Sequence, residues 1–355
     1  VSAPVRVVAA DREPPPGWDE RVVRAPGGHL LQGRAWAAHR ASRGWEPRFL
    51  RFSDEREALV LLRRRPPLPG VLLYAPRGPA PLGDPADRVA ARAAALRDWA
   101  RTIGALNLLV DPVLPADPGY AAAMAAAGFR PTAEVQPSRH RMVREIPAGA
   151  TDEELLAGLS KSARQRVREA ERAGVRIEED TDGTHLPAFT RLVIAAAGRK
   201  GFPWSAEASL DAWWRRVLAS GDGIFLVALA GDRLLGGLIA YRQGGTLATA
   251  FSADDAALRA ERPGTMHALR FAAIRRARDL GATEIDLGGA DVAPDHALPA
   301  PGTPARGLYD HKVSLGAHWE ECVPAHLAVL RPGWLALGEA PARLRRVVRR
   351  SGRRT

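Results

Sequence analysis

GTMHALRFAAIRRARDLGATEIDLGG, residues 264–289, decides the fold. Met266, Leu269, Ala273, Ala277 and Leu280 recur at helical spacing, so residues 264–280 predict an amphipathic helix. Gly281 ends it, and residues 283–289 read as a short buried strand carrying an acid, Asp286. The same arrangement occurs nearer the N-terminus. ADRVAARAAALRDWART, residues 86–102, predicts a helix with Val89, Leu96, Trp99 and Ile103 on or near one face. Gly104 ends that helix, and LNLLVDP, residues 106–112, is a buried strand stopped by Asp111 and Pro112.

Upstream of each helix lie strand-like runs separated by turn signals. Before the second helix they are GIFLVALA, LLGGLIAYR and TLATAFS, parted by Gly231-Asp232 and Gly244-Gly245, which is an antiparallel meander. Before the first helix, PRFLRF, ALVLLRR and VLLYAP play the same part. Meander, helix, glycine, strand, twice over, points to a duplicated α+β unit. The order of elements within each unit resembles the acyltransferase fold called GNAT. The expected fold class is α+β, two GNAT-like domains in tandem over residues 1–147 and 148–323, with a basic C-terminal tail over 324–355. The boundary falls at EIPAGAT, residues 145–151. A helix follows it over residues 152–173, opened by a capping box of Thr151 and Glu154 and stopped at Gly174.

Composition narrows the function classes. The 355 residues carry 51 Lys+Arg against 40 Asp+Glu, a formal +11, and 46% hydrophobic residues, which excludes whole-chain disorder and leaves room for two cores. The excess is almost all arginine, in a chain rich in Ala, Gly and Pro, so charge alone is weak evidence for nucleic acid; it favours polyanions over cationic partners. Cys322 stands alone, which rules out an internal disulfide and a multi-thiolate zinc site and suits a reducing compartment. The opening VSAPVRVVAADREPPPGW has no apolar core of signal-peptide length, and no run reaches bilayer-spanning length. A cytoplasmic location is expected.

Several residues carry candidate chemistry. Lys161, Arg164, Arg168 and Arg172 recur along one side of the 152–173 helix, opposite a stripe of Leu155, Leu159, Ala163, Val167 and Ala170. Such a row tracks a phosphate backbone or is simply a solvated face, partly neutralised by Glu169 and Glu171. The loop Arg262-Pro263-Gly264-Thr265-Met266 stands where a GNAT protein cradles the acetyl-CoA pyrophosphate. It is a poor match, because Pro263 removes an amide and a second small residue is missing. GLYDHKVSLGAHWEE, residues 307–321, is the densest polar-aromatic cluster and holds one of the three lysines, Lys312, which suits an oxyanion or phosphate contact. His311 and His318 lack a third ligand at useful spacing, so no metal is expected. Asp111 and Asp286 each end a strand, where an acid orients an amine or caps backbone amides.

Seven blocks resemble, in order, the Fem family of tRNA-dependent aminoacyltransferases that build peptidoglycan interpeptide bridges. They are HLLQGRAWAAHRASRGW, LYAPRGP, LLVDPVLP, GFRPTAEVQPSRHRMV, LSKSARQRVREAERAGV, ATEIDLGGAD and GLYDHKVSLGAHWEECV, between His29 and Val323. The resemblance implies transfer of an amino acid from aminoacyl-tRNA to the stem-peptide amine of a peptidoglycan precursor, a nucleotide- or lipid-linked muramyl peptide, with no cofactor. It implies that Lys312 stabilises the ester under attack, with His311 where the family has Phe. Asp111 becomes a base or amine-positioning group. Arg40 and Arg199 become contacts to the precursor's diphosphate, and Tyr74 and Arg77 line the precursor cleft. Lys161, Arg164, Arg168 and Arg172 face tRNA. The chain has no room for the coiled-coil arm of some relatives, and a monomer is expected. The tail, with Trp334, Leu335, Leu337, Leu344 and seven arginines after Pro341, is either a peripheral anchor at the inner membrane face or a disordered basic tail. The rivals are a natural-product enzyme with the same donor, an acyl-CoA-dependent GNAT N-acyltransferase and a non-catalytic RNA- or membrane-binding protein.

Overall fold

The computed structural model describes residues 4–67, 69–199, 207–291 and 295–334. They form two compact units: one from Val1–Trp18, Arg40–Val135 and Val323–Thr355, the other from Asp19–His39 and Gln136–Cys322. Each unit has one seven-stranded sheet.

In the first unit, strands Glu46–Phe52, Glu57–Arg64 and Val71–Ala75 run as the expected antiparallel meander, and Val7–Asp11, which was not expected, pairs along its outer edge. Helix Ala86–Thr102 then crosses over and returns the chain as strand Ala105–Val110, parallel to Val71–Ala75 with Leu73 opposite Leu108. Val89, Ala93, Leu96 and Ala100 of the helix pack with Leu50, Phe52, Val60, Leu73 and Leu108 of the sheet. Each such leucine contributes about 2 kcal/mol through burial. Gly104 ends the helix at a φ of 69°, in the left-handed region where a side chain would be strained.

The second unit repeats this plan. Strands Arg176–Glu179, Gly223–Ala230, Arg233–Gln243 and Thr246–Asp254 form the meander. Helix Thr265–Asp279 crosses, Gly281 ends it at a φ of 70°, and strand Glu284–Asp286 returns parallel to Thr246–Asp254. Leu269, Ala273, Ile274 and Ala277 meet Leu226, Leu238, Leu247 and Ile285 in the core. In both sheets the parallel pair is short and its strands then part, because the returning strand ends at Val110 or Asp286.

The domain division differs from the expected sequential halves. The sixth strand of the first sheet is His326–Val329, antiparallel to Ala105–Val110, and Arg130–Pro131 lies outside it. The sixth strand of the second sheet is Arg141–Glu145, antiparallel to Glu284–Asp286 and flanked by His318–Glu320. Each half of the sequence therefore supplies a strand to the other's sheet. The segment assigned to a tail begins with this strand, and Ala325, His326 and Ala328 are fully buried. The tail residues Leu335, Leu337 and Leu344 lie outside the described residues, and Trp334 is exposed.

The helix expected over 152–173 is two helices, Asp152–Ala157 and Lys161–Arg172. The Thr151–Glu154 capping box is present in full, but Ser160 starts a second cap by accepting the Ala163 amide at 3.2 Å. Arg144 holds the break open from below, donating to the carbonyls of Leu155 at 2.7 Å and Leu315 at 2.9 Å. Among the described residues no helix is long and apolar enough to cross a membrane.

Candidate functional site

The first unit gathers Arg40, Tyr74, Arg77 and Asp111 in one place. Asp111 is the first residue beyond the strand that ends at Val110, and it is buried. Tyr74, on the neighbouring strand, donates its hydroxyl to Asp111 Oδ2 at 2.8 Å. Arg77 adopts a φ of 50°, unusual for a side-chain-bearing residue, and its amide donates to Asp111 Oδ1 at 2.5 Å. Burial pushes the Asp111 carboxyl up to about 6, against the Arg77 charge, the two hydrogen bonds and with the help of Glu134. A carboxyl poised there exchanges protons near neutral pH. Arg40 lies within electrostatic reach of Tyr74 and sits over the Trp45 ring at 4.8 Å. Burial first, then Arg63 and Arg43, lowers its guanidinium, opposed by Tyr74.

Sequence reading missed three neighbours of Asp111. Asp117 caps helix Pro118–Ala126 by accepting the Tyr120 amide at 2.7 Å, and Tyr120 is fully buried. Its hydroxyl has no hydrogen-bond partner among the described residues, and burial and the Asp111 charge raise it above the ordinary tyrosine range. His326 meets Tyr120 edge to face at 5.5 Å and stands opposite Val110 in the sheet. Glu134 accepts the Ala325 amide at 3.2 Å. A lone tyrosine in an alanine-rich helix was a visible signal; His326 was hidden because its strand reads as tail.

In the second unit, helix Pro304–Ser314 carries His311 and Lys312 in its last turn. Lys312 is buried, and its ammonium donates to the carbonyls of Gly288 at 2.8 Å and Gly289 at 2.7 Å, just where the parallel strands part. Gly288 turns the backbone there at a φ of 77°, in the left-handed region where a side chain is strained. Asp286, at the strand end, accepts the Gly288 amide at 2.7 Å. Burial raises its carboxyl, opposed by Arg141, the Gly288 amide and the Lys312 charge. Asp291 steadies the other side of the diglycine, accepting from the amides of Arg139 at 2.7 Å and His140 at 3.2 Å and contacting His296 Nδ1 at 2.8 Å. Burial, with Arg270, His267 and Lys312 around it, pushes His311 down to about 3, so its ring is neutral and packs against His267 at 4.6 Å.

The remaining candidates are spread along helices. Lys161, Arg168 and Arg172 are exposed on helix Lys161–Arg172. Arg164 is half-buried and turned back on its own chain, donating to the carbonyls of Ala157 and Leu159, where it closes the preceding short helix. Arg199 ends helix Leu186–Arg199, and its side chain lies outside the described residues.

The loop expected to cradle an acyl-CoA pyrophosphate is crowded at Gly264. Gly264 caps helix Thr265–Asp279, and a Cβ built there would lie 2.0 Å from the Arg166 carbonyl oxygen. Helix Lys161–Arg172 thus puts a carbonyl, itself a partial negative charge, against the helix end that would have to receive a pyrophosphate.

Two sheets, each with a parted parallel pair and a crossover helix, define a tandem protein of the GNAT fold. The profile of the acetyltransferase (GNAT) domain matches residues 158–296, and that of the FemAB family matches residues 18–118. A crystal structure of FemX superposes with a TM-score of 0.72 at 20% identity, covering 88% of this chain and 95% of that one. The C-terminal domain of a protein assigned as a lysylphosphatidylglycerol synthetase from Agrobacterium fabrum shares the fold at a TM-score of 0.52 and 14% identity, over 88% and 93% of the two chains. The lipid II:glycine glycyltransferase of Staphylococcus aureus is 28% identical over 226 residues, 59% of this chain and 53% of its own length. The chain therefore spans about half the length of the curated relatives it matches. Over residues 18–118 it is similar to the FemAB family.

Proposed function

We propose that the chain is an aminoacyltransferase that moves an amino acid from aminoacyl-tRNA to the stem-peptide amine of a peptidoglycan precursor. The observation that carries this reading is the buried ammonium of Lys312, fixed by the Gly288 and Gly289 carbonyls where the parallel strands part. A cation fixed in advance stabilises the oxyanion of a tetrahedral intermediate without reorganisation at the moment of reaction. The reaction asks for little else. The amine nitrogen bonds to the ester carbon, the bond to the ribose oxygen breaks, and the amine's proton leaves with that oxygen.

In this proposal the first unit holds the precursor. Arg40 contacts its diphosphate, Tyr74 and Arg77 line its cleft, and Asp111 accepts the proton that makes the acceptor amine neutral. The second unit holds the donor, with Lys161, Arg168 and Arg172 tracking the RNA and Arg164 contributing charge from its capping position. The lipid II named for the staphylococcal relatives makes a lipid-linked acceptor the first to try, with the protein working at the inner membrane face. An acyl-CoA donor is disfavoured by the carbonyl against the Gly264 helix end.

The test is a mass-spectrometric transfer assay with charged tRNA and either nucleotide-linked or lipid-linked muramyl peptide, with an RNase-treated control. A precursor that gains one amino-acid mass only when RNA is intact supports the reading. Lys312→Ala is expected to lower the transfer rate about 100- to 1,000-fold, with tRNA binding changed far less. Transfer that survives RNase, or that needs acyl-CoA, refutes it.

A further inference from the structure

Arg270 is the buried arginine of the second unit's crossover helix. It lies in the second turn of helix Thr265–Asp279 and is 6% exposed. Its Nη2 donates to Ser252 Oγ at 3.1 Å, while Nε and Nη1 are buried with no hydrogen-bond partner among the described residues. Among the described residues no carboxylate acts on it; burial pulls the guanidinium down to about 10. The groups that feel its charge are themselves basic: His267, one turn earlier on the same helix, and His311, which is also within reach of Lys312. The rim is not sealed, since Ser252, His267 and His311 are each only partly buried.

A buried cation without a counter-ion is costly. The arrangement is economical if an anion arrives with a ligand. A guanidinium presents a planar fork of donors that suits phosphate oxygens. The Arg166 carbonyl crowds Gly264, the residue that caps the same helix. Arg270 offers a cation one turn further in, beside the helix that carries Lys312.

We propose that Arg270, with Ser252, His267 and His311 around it, binds a phosphodiester of the RNA donor near its acylated 3′ end, so that Arg270 positions the ester presented to Lys312. This assignment rests on the aminoacyl-tRNA reading above.

The test uses the full chain and a labelled, uncharged RNA minihelix with a 3′ CCA end. Arg270→Met is expected to bind the minihelix at least ~10-fold more weakly, with the salt slope of the affinity reduced by about one phosphate contact. Its KM for the muramyl peptide should stay within about twofold. Because the replaced cation has no counter-ion, the variant should melt no lower than wild type. Arg270→Lys keeps a charge without the fork and should fall between them, and it gives the same reading if the Met variant fails to fold. Unchanged minihelix affinity and salt slope in either variant overturn the assignment, as does a loss that falls on the muramyl peptide instead. A wild-type chain that does not bind the minihelix overturns the donor reading and this assignment together; wild-type binding that survives both substitutions overturns the assignment alone.

Discussion

Each unit buries one arginine of its crossover helix, and the two are treated in opposite ways. In the first unit, Arg92 donates to Asp54 at 3.0 Å and to Asp84 at 2.6 Å, and both carboxylates are further held by Arg88 and Arg56. Burial works to raise Asp84, but hydrogen bonds from Arg56 and Arg92 keep its carboxyl below the ordinary range. In the second unit, Arg270 is as deeply placed and meets a serine and two imidazoles. The same residue type in the same part of a duplicated fold is thus paired with two carboxylates in one copy and with none among the described residues in the other.

The contrast is broken most forcefully at Arg92. Arg92→Met leaves Asp54 and Asp84 short of a partner, and roughly 3 kcal/mol of unfolding free energy should be lost, the lower end of the range for breaking a buried pair because Arg56 and Arg88 remain. Urea denaturation of Arg92→Met beside Arg270→Met measures it. If both variants lose stability equally, Arg270 is structural and the two copies are alike.

A second pair sharpens the comparison. Asp111 and Asp286 both end the returning strand, yet Asp111 meets Tyr74, Arg77, Tyr120 and Glu134, whereas Asp286 answers Arg141 and Lys312. With its carboxyl raised to about 6, Asp111 binds its proton more tightly in the folded chain than in the unfolded one. Its contribution to stability is therefore full below about pH 4, and is lost as the pH rises through about 6. The loss is at most about 3 kcal/mol, from a shift of about two units. Asp111→Asn should flatten that part of the stability profile and be the more stable chain at pH 8. It should also remove any rise in transfer rate through pH 6. A wild-type profile that is flat between pH 4 and 7 would remove Asp111 as a titrating group.

Much of this was legible in the chain. Helical spacing, Gly104 and Gly281, and the Thr151–Glu154 box report local backbone preferences, which the fold keeps. The convergence of Tyr74, Arg77 and Asp111 followed because all three sit at the ends of one parallel pair. What escaped was non-local. The exchanged strands Arg141–Glu145 and His326–Val329 have ordinary patterns, and only pairing partners far along the chain assign them to their sheets. With them went His326. Arg92 and Arg270 did leave a trace: Arg270 falls four residues after Met266 and three before Ala273, and Arg92 three after Val89 and four before Leu96, so both interrupt an apolar stripe. In an arginine-rich chain that trace looks like composition until the sheet beneath the helix is known.

The smallest expected effect concerns the ring between the two cations. The resemblance to the Fem family puts a Phe at the position of His311, and a charged imidazole there would repel Arg270 and Lys312 alike. The site prevents that charge, since burial and its cationic neighbours push His311 down to about 3. The ring then serves by shape, edge to face with His267 at 4.6 Å, and a phenyl ring supplies the same shape. His311→Phe should change the transfer rate by about threefold or less, with the same pH dependence as wild type from pH 5 to 8, because no proton is gained or lost there in either chain. His311→Ala removes the packing surface and should cost more, through a looser Lys312. A Phe variant that loses the wild-type pH dependence would mean that the imidazole carries a proton during turnover, and the cation cluster in the second unit would then include a titrating switch that its counterpart in the first unit lacks.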